Sequence, residues 1–85
     1  MRQIQFRVAA AKSYKTLAKT QPKVFARFEK AFQHIAAETY AGLDIKRLSG
    51  LPFYRLRIAD YRAIFDDNGT VLEIINLAHR REIYR

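Results

Sequence analysis

Cysteine is absent from the 85 residues, so neither a disulfide framework nor a thiolate metal site can be built. Any chemistry falls to other side chains, and a reducing compartment suits the chain. No stretch approaches the roughly 18 apolar residues of a membrane span, and MRQIQFRVAAAK has no continuous apolar segment of the signal-peptide kind. The expectation is a soluble, unexported, cytoplasmic protein with no membrane partner. Acidic residues are the scarce charge: eight Asp and Glu stand against sixteen Lys and Arg, giving a net charge of +8. Such an excess implies an anionic partner: nucleic acid, a ribosome, an anionic membrane surface or an acidic protein. The plainer alternative is that the charge serves solubility alone.

What is present is enough for one small core. Hydrophobic residues make up 49% and aromatics 13%, well above the composition of a disordered tail. The length allows a single domain over 1–85. In QIQFRV, Ile4, Phe6 and Val8 alternate with polar neighbours, the period of a half-buried strand. From Ala9 to Lys19, Ala10, Tyr14, Leu17 and Ala18 keep helical spacing and leave Lys12, Lys15 and Lys19 opposite.

Pro22 fits the first turn of a second helix, in which Val24, Phe25, Phe28, Ala31, Phe32 and Ile35 form a wide apolar stripe. So short a break makes the two helices an antiparallel hairpin. TYAGLDIKRLSG loses periodicity and reads as a loop. Three strands follow, Tyr54 to Ile58, Tyr61 to Phe65 and Val71 to Leu77, divided by Ala59-Asp60 and by the hairpin signal Asn68-Gly69. The expected fold class is α+β: an N-terminal strand, a helical hairpin, then a three-stranded antiparallel meander. Its expected core is Ile4, Phe6, Leu17, Phe25, Phe28, Phe32, Leu56, Phe65, Leu72 and Ile74.

In YRLRI, Arg55 and Arg57 fall on one face of a strand and Leu56 and Ile58 on the other. A two-residue turn at Ala59-Asp60 opposes Arg57 to Arg62, which is unfavourable unless a negative group lies near. Glu73 is one candidate, placed opposite Ile64 by an Asn68-Gly69 turn, and a phosphate is the other. A half-exposed sheet also needs polar cover, and arginines supply it. The tail AHRREIYR adds His79, Arg80, Arg81 and Arg85, more arginine than solvation requires.

Guanidinium groups match phosphate oxygens and can neutralise the charge that develops in phosphodiester cleavage. Lys46 and Arg47 extend the same basic region. Tyr84 offers a hydroxyl, or a ring to stack on a base. His79 is a candidate proton carrier because its ordinary pKa lies near neutrality. His34 reads as a helix-face residue without a chemical role. No metal-ligand spacing, Gly-rich phosphate loop or Ser-His-Asp arrangement is present, so no metal or cofactor is expected.

The run LSGLPFYRLRIADYRAIFDDNGTVLEIINLAHRREIYR resembles the C-terminal half of RelE-type toxins of the RelE/ParE superfamily. The shared pattern is a Leu-x-Gly loop, a basic strand, a Tyr-Arg strand, a turn and a closing His-Arg with a following Ile-Tyr. The resemblance covers Leu48 to Arg85. It implies a toxin of a type II toxin–antitoxin system, a ribosome-dependent endoribonuclease that cleaves messenger RNA in the ribosomal A site. It also implies a cognate antitoxin partner, with operator DNA bound only through that antitoxin.

By the same resemblance Arg62 and Arg80 match the arginines that stabilise the scissile phosphate, and Tyr84 the tyrosine near the nucleophile. Arg55, Arg57, Lys46, Arg47 and Arg81 are the expected phosphate binders. Arg55 and Arg57 depart from the pattern, because familiar members carry lysines there and an arginine is a poor general base. The alternative is a ParE-like inhibitor of DNA gyrase without nuclease activity. Fold alone cannot separate the two.

Overall fold

The computed structural model describes residues 1–83. Strand β1 (Gln3–Phe6) leads through Arg7, still in extended conformation, into helix α1 (Val8–Thr20). Helix α2 (Pro22–Ala36) begins with Pro22 in its first turn, where the missing N–H has no intrahelical partner to lose. The chain then forms β2 (Asp44–Arg47), β3 (Tyr54–Ile58), β4 (Tyr61–Asp67) and β5 (Val71–His79). The five strands make one sheet in the order β1-β5-β4-β3-β2. The four later strands are an antiparallel meander, and β1 joins β5 in parallel with Gln3 opposite Val71 and Phe6 opposite Ile74.

The class is the expected α+β, with one strand more than expected. DIKR, read as loop, is an edge strand that pairs with β3 over Asp44–Arg57, Ile45–Leu56, Lys46–Arg55 and Arg47–Tyr54. Its one inward apolar residue, Ile45, is too little for a period to register, and the strand exists because β3 offers it a ladder. Its loop to β3 closes with the Leu48 N–H donating to the Phe53 carbonyl at 2.9 Å. The first strand is correspondingly shorter than expected, because Val8 opens the helix.

Both helices cover one sheet face. Phe28, Ile35, Leu56, Leu72 and Ile74 have no more than traces of exposure, and Leu17, Phe32, Ala63, Phe65 and Leu77 complete the same cluster. The expected core residues Ile4, Phe6 and Phe25 are only partly buried at its rim, where Tyr14 joins them. Tyr14 stands 4.8 Å from the Phe6 ring and 4.5 Å from the Phe25 ring, so it ties β1, α1 and α2 together.

The β3–β4 register is the expected one, with Ile58 opposite Tyr61 and Arg57 opposite Arg62. The β4–β5 register is not. Asp67 pairs with Leu72, Asp66 with Glu73 and Phe65 with Ile74, and a bulge then brings Ile64 opposite Asn76. The cause is a longer turn than Asn68-Gly69 alone. Asn68 Oδ1 accepts from the N–H groups of Thr70 and Val71, Asp67 Oδ1 accepts from that of Gly69, and Gly69 has φ +89°. Side-chain acceptors thus stabilise a three-residue loop, Asn68 to Thr70, over the tighter hairpin.

Candidate functional site

The face of the sheet away from the helices carries two cross-strand rows. One runs Asp44, Arg57, Arg62, Ala78, and the next runs Lys46, Arg55, Ile64, Asn76. Period-two alternation therefore gathers Arg55, Arg57, Arg62 and Lys46 on one surface while their neighbours Leu56 and Ala63 enter the core.

This face is more than a solvated exterior. The Arg55 side chain is 18% exposed and its Nε is buried without a hydrogen-bond partner, and Ile64 beside it is 7% exposed although it lies outside the main core cluster. An unpaired buried donor costs about 1–3 kcal/mol, so the packing that withdraws Arg55 from water is not offset by a hydrogen bond at this atom.

Asp44 is the negative group near the opposed arginines. Its Oδ1 accepts from Arg55 Nη2 at 2.8 Å. Glu73, the sequence candidate, does not serve: it stands opposite Asp66, and its Oε1 accepts from Arg7 Nη2 at 3.2 Å, two strands away from Arg57. Arg62 turns its Nη1 toward the β3–β4 turn, 3.2 Å from the Tyr61 carbonyl and 3.4 Å from that of Ala59. That turn is strained, since Ala59 has φ +53°, a region that costs a residue with a Cβ roughly 1–2 kcal/mol.

Arg80 reaches the same turn from the end of β5. Its N–H donates to the Asp60 carbonyl at 2.7 Å, and its Nε lies 3.7 Å from Asp60 Oδ1. The turn at Ala59-Asp60 thus brings Arg62 and Arg80 to one end of the sheet, although they are eighteen residues apart in sequence. Asp44 and Asp60 are the two residues of this site that sequence reasoning missed. Asp60 was legible only as turn chemistry, and Asp44 lay in the strand read as loop.

The remaining candidates separate. Arg47 shares its row with Tyr54 and Phe65, on the helix side of the sheet, apart from Lys46 and Arg55. His79 stands opposite Tyr61 in the row beyond Ala63–Leu77, also on the helix side, with its ring 5.5 Å from the Tyr61 ring. It faces Lys12, Ser13 and Thr16 of α1 across a cleft and not the arginine rows. Arg81 is exposed in the turn after β5, its N–H 3.3 Å from His79 Nδ1. Tyr84 and Arg85 lie outside the described residues.

A mixed sheet with a helical hairpin on one face and an arginine surface on the other defines a small basic α+β protein. The family described as "ParE toxin of type II toxin-antitoxin system, parDE" matches residues 4–84. The chain belongs to this family, within the RelE/ParE toxin superfamily.

Among solved structures it is similar to the YoeB dimer from Staphylococcus aureus, with 17% identity, TM-score 0.80, and coverage of 92% of this chain and 95% of that one. The toxin–antitoxin complex RelB-RelE from Methanococcus jannaschii gives 24% identity and TM-score 0.74 over 94% of each chain. The E. coli DinJ-YafQ complex gives 14% identity and TM-score 0.77 over 99% of this chain and 98% of that one. These likenesses are of fold. A search of curated proteins found no match. No helix among the described residues is long and apolar enough to cross a membrane.

Proposed function

We propose that the chain is a ribosome-dependent messenger RNA endoribonuclease, the toxin of a type II pair, held inactive by a cognate antitoxin. The observation that carries the reading is the alignment of Arg55, Arg57 and Arg62 in adjacent rows of one sheet face, with Arg80 brought to the same end by Asp60. A cluster of guanidinium groups gathered on one face suits a phosphate whose negative charge grows during reaction, because their positive charge offsets it as it develops.

In the proposed step the 2′-oxygen of one nucleotide attacks the adjacent phosphorus, and the bond from phosphorus to the 5′-oxygen breaks. The 2′-hydroxyl loses its proton and the leaving 5′-oxygen gains one. The products are a 2′,3′-cyclic phosphate and a 5′-hydroxyl. The step calls on no metal. Arg62 and Arg80 stabilise the pentavalent phosphorus, Arg55, Arg57 and Lys46 hold flanking phosphates, and Tyr84 handles the proton. An antitoxin partner is supported by the complexes that RelE and YafQ form with RelB and DinJ. Operator DNA is bound only through that antitoxin, and the site of action is the cytoplasm.

The second reading is inhibition of DNA gyrase without cleavage, and it is favoured by the ParE description of the family match. Primer extension on translated messages after induction, with a supercoiling assay beside it, decides between them. Discrete cleavage within codons supports the nuclease. Intact messages together with lost supercoiling replace it with the gyrase reading.

A further inference from the structure

A basic stripe runs along α2 that the proposed cleavage step does not use. Lys23, Arg27, Lys30 and His34 recur at spacings of four, three and four, which puts them on one helix face about 16 Å long at 1.5 Å per residue. The neighbouring face, with Phe28, Ala31, Phe32 and Ile35, is buried, so the stripe borders the core without entering it. Arg27, Lys30 and His34 form one wall of a cleft of about 490 Å³ whose other wall is the segment Ala41 to Asp44 together with Arg57, Ile58 and Ala59.

Among the described residues the one acidic side chain in this lining is Asp44, and its carboxylate is engaged by Arg55. Among the described residues no ion pair neutralises Lys23, Arg27, Lys30 or Arg57. The cleft is continuous with the candidate site. Arg57 belongs to both, and Ala59, which closes the cleft, offers its carbonyl to Arg62.

We infer that this α2 cleft binds the sugar–phosphate backbone of the same single RNA strand that the arginine face holds, as a track beyond the cleaved bond. The inference rests on the nuclease reading. Like charges without acidic partners lining one groove are costly in the free protein and favourable around a polyanion. Continuity through Arg57 and Ala59 selects the strand being cut over a separate nucleic acid.

The test uses the whole protein and a single-stranded RNA methylated at every 2′-oxygen, which cannot supply the attacking hydroxyl. Arg27→Gln/Lys30→Gln is compared with Lys15→Gln/Lys19→Gln, which removes equal charge from exposed positions of α1. Affinity is measured against salt. The α2 pair should make the slope of log K against log salt shallower by about 0.7 for each phosphate that is no longer neutralised, and the α1 pair should leave it unchanged.

Equal effects from both pairs, or none from the α2 pair, overturn the inference. So does a loss confined to ribosome pelleting with strand affinity unchanged, which would assign the cleft to ribosomal RNA. Cleavage of translated messages by the parent protein is followed in parallel. If the parent cleaves and the slopes do not change, the track fails and the nuclease reading stands. If the parent neither cleaves nor binds the strand, both fail.

Discussion

Arg55 and Asp44 are joined by a hydrogen bond of 2.8 Å between a side chain that is 18% exposed and one that is 52% exposed. The pair is unequal: Asp44 sits in water, whereas Arg55 is largely withdrawn from it and keeps an unpaired Nε. Asp44 therefore competes with any phosphate for Arg55. Asp44→Asn is expected to tighten binding of single-stranded RNA and steepen its salt dependence. Its effect on unfolding should stay within about 1 kcal/mol, because Asn keeps an oxygen acceptor for Arg55 Nη2 and the Asp44 side of the pair is open to water. Weaker RNA binding by the variant would show that Asp44 positions Arg55 and does not compete for it.

The core prediction rests on α2. Phe28 is 0% exposed and Phe32 2%, with ring centroids 5.7 Å apart. Replacing either by Ala should cost roughly 3–5 kcal/mol, a large share of the stability of so small a domain. Urea or thermal unfolding checks it. A loss under about 1 kcal/mol at both positions would contradict the central place of α2.

How much of this was legible follows from where the signal resides. The α2 stripe and the β3 alternation involve five or more residues with a clear period, and both appear in the structure in the expected sense. The Arg57–Arg62 opposition was legible because Ala59-Asp60 leaves no room for another register. Three features were not. The strand Asp44–Arg47 is defined by its partner more than by its own residues. The β4–β5 register depends on side-chain acceptors at Asp67 and Asn68, which a turn dipeptide does not reveal. The face taken by His79 follows from a bulge opposite Ile64 and Phe65 that no alternation pattern encodes.

Tyr14 supplies a pH dependence. Burial, and secondarily the negative charge of Glu29, push its hydroxyl up from 10.0 to about 12. Below pH 10 the phenol is neutral in both folded and unfolded chains and contributes nothing to the slope. Between about 10 and 12 the unfolded chain releases the proton while the folded chain retains it, so stability falls as pH rises through that window. Tyr14→Phe should remove this part of the loss, seen as a flatter decline of melting temperature above pH 10. An identical decline in parent and variant would assign the loss to other groups.

The last prediction asks which group moves the proton. Arg55 and Arg57 stand where lysines would offer a base, and a guanidinium cannot be deprotonated at accessible pH. An imidazole is a common proton carrier, but His79 faces α1 across the sheet from Arg62, so His79→Gln should leave cleavage of translated messages close to the parent level. That leaves the phenol of Tyr84, which can both give and take a proton. Tyr84→Phe should lower cleavage by about 10²–10⁴-fold, the usual worth of a positioned acid–base group. Ribosome binding and antitoxin affinity should hardly change, because the ring is kept. Arg62→Ala should differ in kind, losing about 10²-fold or more in cleavage and also weakening RNA binding, since charge leaves with the side chain. Primer extension with ribosome pelleting on the three variants separates these roles. Full activity in Tyr84→Phe beside an inactive His79→Gln would move the proton to the histidine and require the scissile phosphate to lie on the α1 side of the sheet, against the placement of Arg62.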